Sequence, residues 1–328
     1  MLRSPASAQE GFSLSGGRCV RVRVTVPATS ANLGPGFDCL ALALSLRNEV
    51  EAELAPEPRV AVHGEGEGEV PADERNVVYQ AARQVAARAG ADVAFAFRCR
   101  NRIPLDRGLG SSAAARVAGV VAANRLLGGV MDFQAQLDLV AQLEGHADNA
   151  AAAFLGGLTV AVQDAAGRVR WQRVLPARFP EVVVCVPEVR VPTHRARALL
   201  PERVPFADAV FNVGRAALLV AAAYNGDPEA LAEAVQDRLH EPYREGLVPG
   251  LRQAASQARG AGAWAVALSG AGSSVLALVP AERAADVAEA LVGAFRGEGI
   301  RSWALRLSVD PQGAVVEEGP GGGGTWDG

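Results

Sequence analysis

The chain has 328 residues, of which 49% are hydrophobic, and its formal net charge is −4 at pH 7. This composition excludes a disordered or fibrous protein, and the negative balance argues against general nucleic-acid binding, which needs a basic surface. The length predicts two domains, at about 150 residues each. The charge balance therefore predicts no nucleic-acid partner. Since no stretch of about 20 residues is both apolar and uncharged, we expect no membrane partner either.

The basic and sulfur-containing residues exclude further chemistry. All 32 basic residues are arginine, so the chain contains no lysine. A GxxxxGK[ST] phosphate loop and any mechanism with a lysine base or Schiff base are therefore excluded. The four cysteines are far apart and form no CxxC pair, which predicts free thiols in a reducing cytoplasm rather than zinc ligands or disulfides.

The first half of the chain alternates strand and helix patterns. Apolar alternation or continuous apolar runs predict strands over 21–26, 39–54, 59–63, 93–99, 158–162 and 169–174. Helical spacing predicts helices over 76–88, 111–127, 133–143 and 149–155. A polar loop is predicted over 27–38, and Gly90 and Gly156 are predicted to end helices.

The second half has a different rhythm. Strands are predicted over 182–186, 263–268, 275–279 and 302–307, and helices over 206–224, 228–239, 251–259 and 282–295. The β-α-β-β-α-β order is typical of a ferredoxin-like layer with additional helices. We therefore predict an α+β protein whose units are a disordered N-terminal extension, a first domain, a second domain and a disordered tail, over residues 1–18, 19–172, 173–318 and 319–328.

The most informative segment is IPLDRGLGSSAAARVAGVVAANRLLG, residues 103–128. Gly108 and Gly110 allow a tight turn and the close approach of an anion to the backbone. Ser111 and Ser112 are placed to cap the following helix or to offer hydroxyls to a phosphate or a metal. The positive end of that helix would face the loop. The segment predicts a phosphate-binding loop, with a glycine turn before a capped helix as the alternative.

Two further small-residue segments support a ligand site. PATSANLGPGFD, residues 27–38, ends in Asp38, and LSGAGSSVLAL, residues 268–278, contains a glycine turn between two apolar strands. An ordinary connection and a plain hairpin are the alternatives. Two glycine loops in separate domains fit a nucleotide and a substrate held in a cleft between the domains.

EGHADN, residues 144–149, places four polar groups close together. His146 has Glu144, Asp148 and Asn149 beside it, which favours a functional role over a structural histidine. A carboxylate for Mg²⁺ is the stronger interpretation, because Mg²⁺ prefers one or two carboxylates plus phosphate oxygens. Zinc is the weaker one, because no second histidine follows at ligand spacing.

Two arginines lie in otherwise apolar surroundings. Arg197 is in THRAR and Arg244 is in EPYRE. Most arginines are solvated surface groups. Together, however, two guanidinium groups offer a clamp for a carboxylate.

In order and spacing, PATSANLGPGFD, PLDRGLGSSAA, EGHADN and LSGAGSSVLAL resemble the motifs of the GHMP small-molecule kinases. FLGGL after EGHADN, the TxxARALLP run, and LVPG after EPYRE resemble the homoserine kinase subfamily in particular. The resemblance covers about Val22 to Val309. It implies a two-domain GHMP kinase fold, with an N-terminal domain like domain 2 of ribosomal protein S5 and a ferredoxin-like C-terminal domain.

The resemblance implies ATP-dependent phosphorylation of L-homoserine to O-phospho-L-homoserine, a step toward threonine, by a cytoplasmic homodimer that uses Mg²⁺. The phosphates of ATP would be held by Pro104, Leu105, Asp106, Arg107, Gly108, Leu109, Gly110, Ser111, Ser112, Ala113 and Ala114. Ser112 and Glu144 would hold Mg²⁺. Homoserine would be surrounded by Asn32, Asp38, His146, Asn149, Arg197 and Arg244. Catalytic roles would fall to Asn149, Arg197, Ser112 and Glu144.

Two positions depart from the family pattern. Ala152 stands where the family usually has proline, and Ser273–Ser274 stand where it usually has Pro-Thr. Two alternatives remain open: another GHMP kinase, acting on mevalonate, shikimate or diphosphocytidyl-methylerythritol, and a non-catalytic relative that binds a small ligand. Because an aspartate–lysine pair cannot operate without lysine, we expect catalysis without a dedicated protein base.

Overall fold

The computed structural model describes residues 20–175 and 180–320. The predicted N-terminal extension, 1–18, and residues 321–328 of the predicted tail lie outside the described residues. The strands are β1 (Val20–Asn32), β2 (Gly36–Ala55), β3 (Arg59–Gly64), β4 (Ala94–Asn101), β5 (Leu158–Gln163), β6 (Val169–Val174), β7 (Glu181–Pro187), β8 (Ala265–Leu268), β9 (Val275–Val279), β10 (Ser302–Leu307) and β11 (Val315–Pro320).

The helices lie between these strands, singly or in runs. They are α1 (Val77–Ala89), α2 (Ser111–Leu126), α3 (Phe133–Glu144), α4 (Asp148–Leu155), α5 (Thr193–Ala198), α6 (Phe206–Asn225), α7 (Pro228–Ala234), α8 (Glu241–Arg244), α9 (Leu251–Gly260) and α10 (Ala284–Gly297). The predicted helix ends at Gly90 and Gly156 are confirmed, and both glycines have positive φ.

Two sheets organise the protein. The first follows the order β11-β1-β2-β4-β3, with β5 paired to β2 and to β6. The second follows the order β10-β7-β9-β8, with every neighbouring pair antiparallel. Numbered within the second sheet, this order is 4-1-3-2, the arrangement of a ferredoxin-like layer. The predicted α+β class and the β-α-β-β-α-β order are confirmed.

Apolar side chains from both sheets share one core. It includes Val24 of β1, Val117 of α2 and Val184 of β7, all with no exposed surface. A second core lies between α9, α10 and the second sheet, and includes Leu291 and Phe295. Burial at about 25 cal/mol per Å² of apolar surface makes these cores the main source of stability.

The predicted loop over 27–38 is wrong at both ends. β1 continues to Asn32 and β2 begins at Gly36, so only residues 33–35 form the turn. Ladder pairing holds this segment extended, from Ala28 against Leu44 to Asn32 against Gly36. The segment has the composition of a loop because this part of β1 carries polar residues. The structure buries Thr29, Ser30 and Asn32 of this strand.

Four further elements differ from the prediction. α7 ends at Ala234 instead of 239, because the Asp237 carboxylate accepts the backbone N–H groups of His240 and Glu241 ahead of α8. α5 and α8 are additional short helices. β11 pairs with β1 of the first sheet, although 315–318 was assigned to the second domain and Gly319–Pro320 to the tail. The domain boundaries themselves stay a prediction.

Within residues 20–175 and 180–320, α6 alone meets the length and hydropathy of a membrane span, which by itself is weak evidence. One face of α6 packs on the protein. Asn212 of α6 donates to Asp237 at 2.6 Å, and Leu219 and Ala222 are buried. α6 is therefore a helix that packs against the rest of the protein along one face.

Candidate active site

A polar cavity lies where the β1–β2 turn, α2, α4, α5 and α8 meet. Two loops complete it: the glycine loop (residues 104–110) and the serine turn (residues 269–274). The predicted residues on its wall are Asn32, Asp38, Pro104, Asp106, Arg107, Gly108, Leu109, Gly110, Ser111, Ser112, Glu144, His146, Asn149, Arg197 and Arg244. A larger cavity of about 520 Å³ beside α6 and α7 is lined mainly by apolar residues and holds none of these groups.

Three residues predicted to bind ATP do not line the polar cavity. Leu105 packs toward Gly66, where a Cβ would lie 2.6 Å from its side chain. Ala113 and Ala114 are fully buried, and the N–H of Ala114 is bonded to the carbonyl of Gly110 within the helix. The helix turns the two alanine side chains into the core, and the part of these three residues in ATP binding stays a prediction.

The glycine loop packs between the two sheets, against Thr29 of β1 on one side and Ser269, which follows β8, on the other. A Cβ on Gly108 would lie 2.0 Å from the carbonyl oxygen of Ser269, and a Cβ on Gly110 would lie 2.0 Å from Thr29 Oγ1. Both glycines have positive φ, at 73° and 69°. The Ser269 hydroxyl donates to the Gly108 carbonyl at 2.7 Å. Only glycine fits these two positions without strain or clash.

The first turn of α2 has no side-chain cap, contrary to our expectation for Ser111 and Ser112. Gly110 is the N-cap residue, so both serines already lie within the helix. An uncapped helix start leaves N–H groups available to an external acceptor. Because Ser111 and Ser112 line the cavity, this helix start suits an anion.

Ser112 and Glu144 meet across the cavity. The Ser112 hydroxyl donates to Glu144 Oε1 at 2.9 Å, which joins the start of α2 to the end of α3. Arg116, one turn further along α2, contacts both side chains. The sequence prediction missed Arg116, although its i+4 spacing from Ser112 was available as a signal.

A hydroxyl and a carboxylate are hard oxygen donors of the kind that Mg²⁺ prefers. Among the residues that the structure describes, no group of three or more His, Cys, Asp or Glu side chains is arranged to hold a metal. A metal on Ser112 and Glu144 would thus need further ligands from a bound nucleotide or water. The donor set fits Mg²⁺ held jointly by protein and phosphates, and does not fit a zinc site.

α4 begins with a fixed hydrogen-bond chain. His146 Nδ1 lies 2.7 Å from Asp148 Oδ1, and the same oxygen accepts the backbone N–H of Asn149 at 2.6 Å. Thr29 donates its hydroxyl to Asn149 Oδ1 at 2.7 Å. Asp148, which is 1% exposed, and Thr29 were absent from the predicted site, and both orient predicted residues. Because residues 27–38 were predicted to form a loop, the sequence carried no signal for the buried position of Thr29.

Asp38 and Arg197, both predicted to surround the substrate, pair with each other. The guanidinium donates two hydrogen bonds to the carboxylate, at 2.9 and 2.6 Å. This contact raises the pKa of Arg197 above its ordinary value. Asn32 holds the backbone of Asp38, because its side-chain oxygen accepts the Asp38 backbone N–H at 3.1 Å.

Arg244 is 2% exposed and is held mainly by backbone. Its Nη1 donates to the carbonyl of Gly270 at 3.1 Å and lies 3.2 Å from His240 Nδ1. Burial, followed by the charge of Arg197, lowers the pKa of Arg244. Both guanidinium groups lie over the Phe37 ring, 5.4 Å from its centre for Arg197 and 5.3 Å for Arg244. The structure therefore brings the two predicted arginines together.

α8 is anchored to the second sheet through Glu241. Its carboxylate accepts the backbone N–H of Leu268 at 2.8 Å. Burial of this carboxyl raises its pKa to about 8. Burial also lowers the pKa of His240, whose Nε2 is 2.6 Å from the carbonyl of Gly34. These contacts fix the turn of helix that carries Arg244.

The two departures from the family pattern are accommodated locally. Ala152 is fully buried against Ala31, Ala41 and Ala43, so a small side chain fills that position. Ser273 is buried and donates its hydroxyl to the Val189 carbonyl, whereas the Ser274 hydroxyl has no hydrogen-bond partner in the described part of the chain.

The chain matches two domain families, GHMP kinases N terminal domain over residues 76–157 and GHMP kinases C terminal over residues 219–297. A homoserine kinase from Desulfitobacterium hafniense is 43% identical over 296 residues, which cover 90% of this chain and 99% of the relative. A homoserine kinase from Moorella thermoacetica is 42% identical over 294 residues, 89% and 99% of the two chains.

Among solved structures, a homoserine kinase from Cytophaga hutchinsonii superposes with a TM-score of 0.82 at 30% identity, covering 90% of this chain and 97% of that one. Sequence and structure thus agree over nearly the full length of these relatives. The chain belongs to the GHMP kinases and, within them, to the homoserine kinase family.

Proposed function

We propose that this protein transfers the γ-phosphoryl group of ATP to the side-chain hydroxyl of L-homoserine, giving O-phospho-L-homoserine for threonine biosynthesis. The observation that carries the proposal is one polar cavity that combines an uncapped helix start with the Ser112–Glu144 pair and three charged groups, Asp38, Arg197 and Arg244. Relatives about 40% identical, named homoserine kinase, support the same reaction.

The phosphates of ATP are assigned to the glycine loop and the start of α2. Arg107 on this loop has two buried nitrogen atoms, Nε and Nη1, without a hydrogen-bond partner among the described residues. Burial, followed by the charge of Arg190, lowers the pKa of Arg107. A phosphate oxygen would be a partner for the two nitrogen atoms, so Arg107 is our candidate for the role that a lysine plays in other phosphate loops.

Mg²⁺ is assigned to Ser112 and Glu144, together with phosphate oxygens. When bound, the metal would neutralise charge on the phosphates during transfer. The chain's own contribution is to hold the hydroxyl and the carboxylate 2.9 Å apart at the helix start. The backbone N–H groups of α2 would stabilise the charge that develops on the transferred group.

Homoserine carries an ammonium and a carboxylate, which match the charges of the Asp38–Arg197 pair and Arg244. We assign the ammonium to Asp38, the carboxylate to Arg197 and Arg244, and the reacting hydroxyl to Asn149. Bound homoserine would replace the Asp38–Arg197 contact with two new ones. Its ammonium would contact Asp38, and its carboxylate would contact Arg197. Asn32 and His146 complete the wall around the amino acid.

We assign no protein base to the reaction. Phosphoryl transfer passes through a loose transition state that needs little early deprotonation of the nucleophile. The orientation of Asn149 by Thr29 and Asp148 would act through positioning, which supplies up to roughly 7–11 kcal/mol in well-oriented reactions. A kcat profile with a steep acidic limb that one carboxylate variant removes would contradict this.

An ADP-release assay with L-homoserine, mevalonate and shikimate tests the proposed reaction. We expect turnover with homoserine alone, and its loss in Glu144→Gln with the thermal midpoint unchanged within a few degrees. Turnover of mevalonate or shikimate instead would assign another GHMP kinase reaction. Tight ATP binding without turnover of any of the three would identify a non-catalytic relative.

We also propose a homodimer that resides in the cytoplasm. α6 exposes an apolar face, with Phe206 84%, Val213 73% and Tyr224 70% exposed, and pairing with a second copy would cover it. Light scattering after size exclusion should give twice the chain mass, and Val213→Glu should give the monomer. Cys99 and Cys185 are buried free thiols, which fits a reducing compartment.

A further inference from the structure

Arg116 is the cationic side chain that contacts both proposed metal ligands. Its Nη1 donates to Ser112 Oγ at 2.5 Å and forms an ion pair with Glu144 Oε1. Its side chain is 23% exposed, and that of Glu144 is 8% exposed. The contact is therefore largely shielded from solvent. Salt screens such a partly buried ion pair less than one at the surface.

Helix geometry explains why the guanidinium reaches the site. Arg116 lies four residues after Ser112 on α2, and helical side chains lean toward the N-terminus of their helix. An arginine at this position therefore places its charge back at the start of α2. Glu144 supplies the negative charge that this partly buried guanidinium requires.

We propose that Arg116 is a resident counter-cation of the metal site, which occupies the Ser112 and Glu144 ligand atoms and which Mg²⁺ must displace. This inference rests on the proposed metal site and goes beyond it. Free Mg²⁺ would have to break the guanidinium contacts, and it would still lie close to the positive charge of Arg116. Mg²⁺ that arrives with ATP brings the negative charge of the phosphates, which compensates both cations. Arg116 would thus disfavour metal binding ahead of the nucleotide.

A metal titration of the nucleotide-free protein tests the proposal. Mn²⁺ is the probe, and electron paramagnetic resonance reports the free ion. We expect Arg116→Leu to lower the Mn²⁺ Kd about tenfold, which is ~1.4 kcal/mol, and Arg116→Lys to change it less. Arg125→Leu is the matched control, because Arg125 lies on the same helix but is paired with Glu318 instead. Its Kd should equal that of the parent protein.

Adding Glu144→Gln to each background separates the two proposals. If Arg116→Leu leaves the Kd unchanged while Glu144→Gln abolishes binding, the metal site stands and the role of Arg116 is overturned. If Mn²⁺ binding is insensitive to Glu144→Gln, the metal site itself is overturned, and the role of Arg116 with it. If no nucleotide-free variant binds Mn²⁺, Arg116→Leu included, then Arg116 is not what disfavours the metal, and its proposed role is overturned. Thermal midpoints within a few degrees of the parent identify folded variants. Arg116→Gln, which also removes the charge, replaces Arg116→Leu as the test if the leucine variant does not fold.

Discussion

At the scale of single residues, the substrate end of the site is built from two arginines in different environments. Arg197 is 37% exposed and bonded to a carboxylate, whereas Arg244 is buried and bonded to a backbone carbonyl. A partly exposed ion pair contributes little stability, at most about 1 kcal/mol. Replacing Arg197 should therefore affect substrate binding more than folding.

We expect Arg197→Ala to raise the KM for L-homoserine at least tenfold, because one charge-assisted contact to the substrate carboxylate is lost. The KM for ATP should stay within twofold, and the free energy of unfolding within about 1 kcal/mol. Steady-state kinetics and urea titration measure these quantities. Equal increases in both KM values would rule out the carboxylate assignment.

Arg244→Ala should raise the KM for homoserine in the same way and should also lower the thermal midpoint. The difference arises because Arg244 fills a buried position and its loss leaves the Gly270 carbonyl without that donor. Comparison of the two alanine variants by calorimetry checks this. A thermal midpoint for Arg244→Ala equal to that of Arg197→Ala would show that the buried contacts do not stabilise the fold.

At the scale of elements, the start of α2 is set by what surrounds it. Gly110 has no room for a Cβ, since Thr29 Oγ1 occupies that place. Thr29 in turn orients Asn149 at the start of α4. The phosphate end and the hydroxyl-binding end of the site are thus connected through one threonine of β1.

Gly110→Ala should displace Thr29 and the helix start together, and so lose ATP binding as well as turnover. Gly129→Ala is the matched control, because Gly129 has a positive φ of 80° but a Cβ there would meet no atom within 4 Å. Both variants carry the cost of a left-handed alanine, about 1–2 kcal/mol. Equilibrium dialysis with ATP should separate them, and equal ATP affinity would show that the clash at Gly110 is tolerated.

At the scale of the whole molecule, buried polar contacts fasten the two sheets around the site. The carbonyl of Gly270 accepts hydrogen bonds from Asn32 and from Arg244, and its N–H donates to the carbonyl of Ala31. Glu241 extends this network to Leu268. Ionisation of Glu241 should therefore affect both the stability of the fold and the geometry of the site.

The free energy of unfolding should fall as pH rises, because the pKa of Glu241 is about 8 in the folded protein against an ordinary value of 4.5. A carboxyl with a raised folded pKa contributes its full stability below pH 4.5. That stability is lost as pH rises toward 8, at up to about 1.4 kcal/mol per pH unit. Above pH 8 the contribution of this group is constant.

Glu241→Gln removes the titration and keeps an oxygen that accepts the Leu268 N–H. Urea titrations at pH 5, 6, 7 and 8 should therefore give a shallower pH dependence for Glu241→Gln than for the parent protein. Glu245→Gln, a control on the neighbouring turn, should keep the parent's slope. Parallel slopes for the parent and Glu241→Gln would show that Glu241 ionises normally in the folded state.

Much of the site could be predicted because its chemistry is local in sequence. The glycine loop, the start of α2 and the polar run 144–149 each occupy consecutive residues, and each lines the cavity. Leu105, Ala113 and Ala114 do not line the cavity, because a motif does not specify which way each side chain points. Arg116 and Thr29 were missed, because one lies within an alanine-rich helix and the other within a strand predicted to be a loop.

Local periodicity and composition were enough to specify the types of most elements, the α+β class and the available chemistry, including the absence of lysine. They could not specify which groups meet: Thr29 with Asn149, 120 positions apart, Asp38 with Arg197, 159 apart, and Asn32 with Gly270, 238 apart. Such contacts depend on strand register and on the packing of two sheets, which no local pattern encodes. The pairing of Asp38 with Arg197, and the guanidinium of Arg116 on Ser112 and Glu144, therefore became visible only in the folded protein.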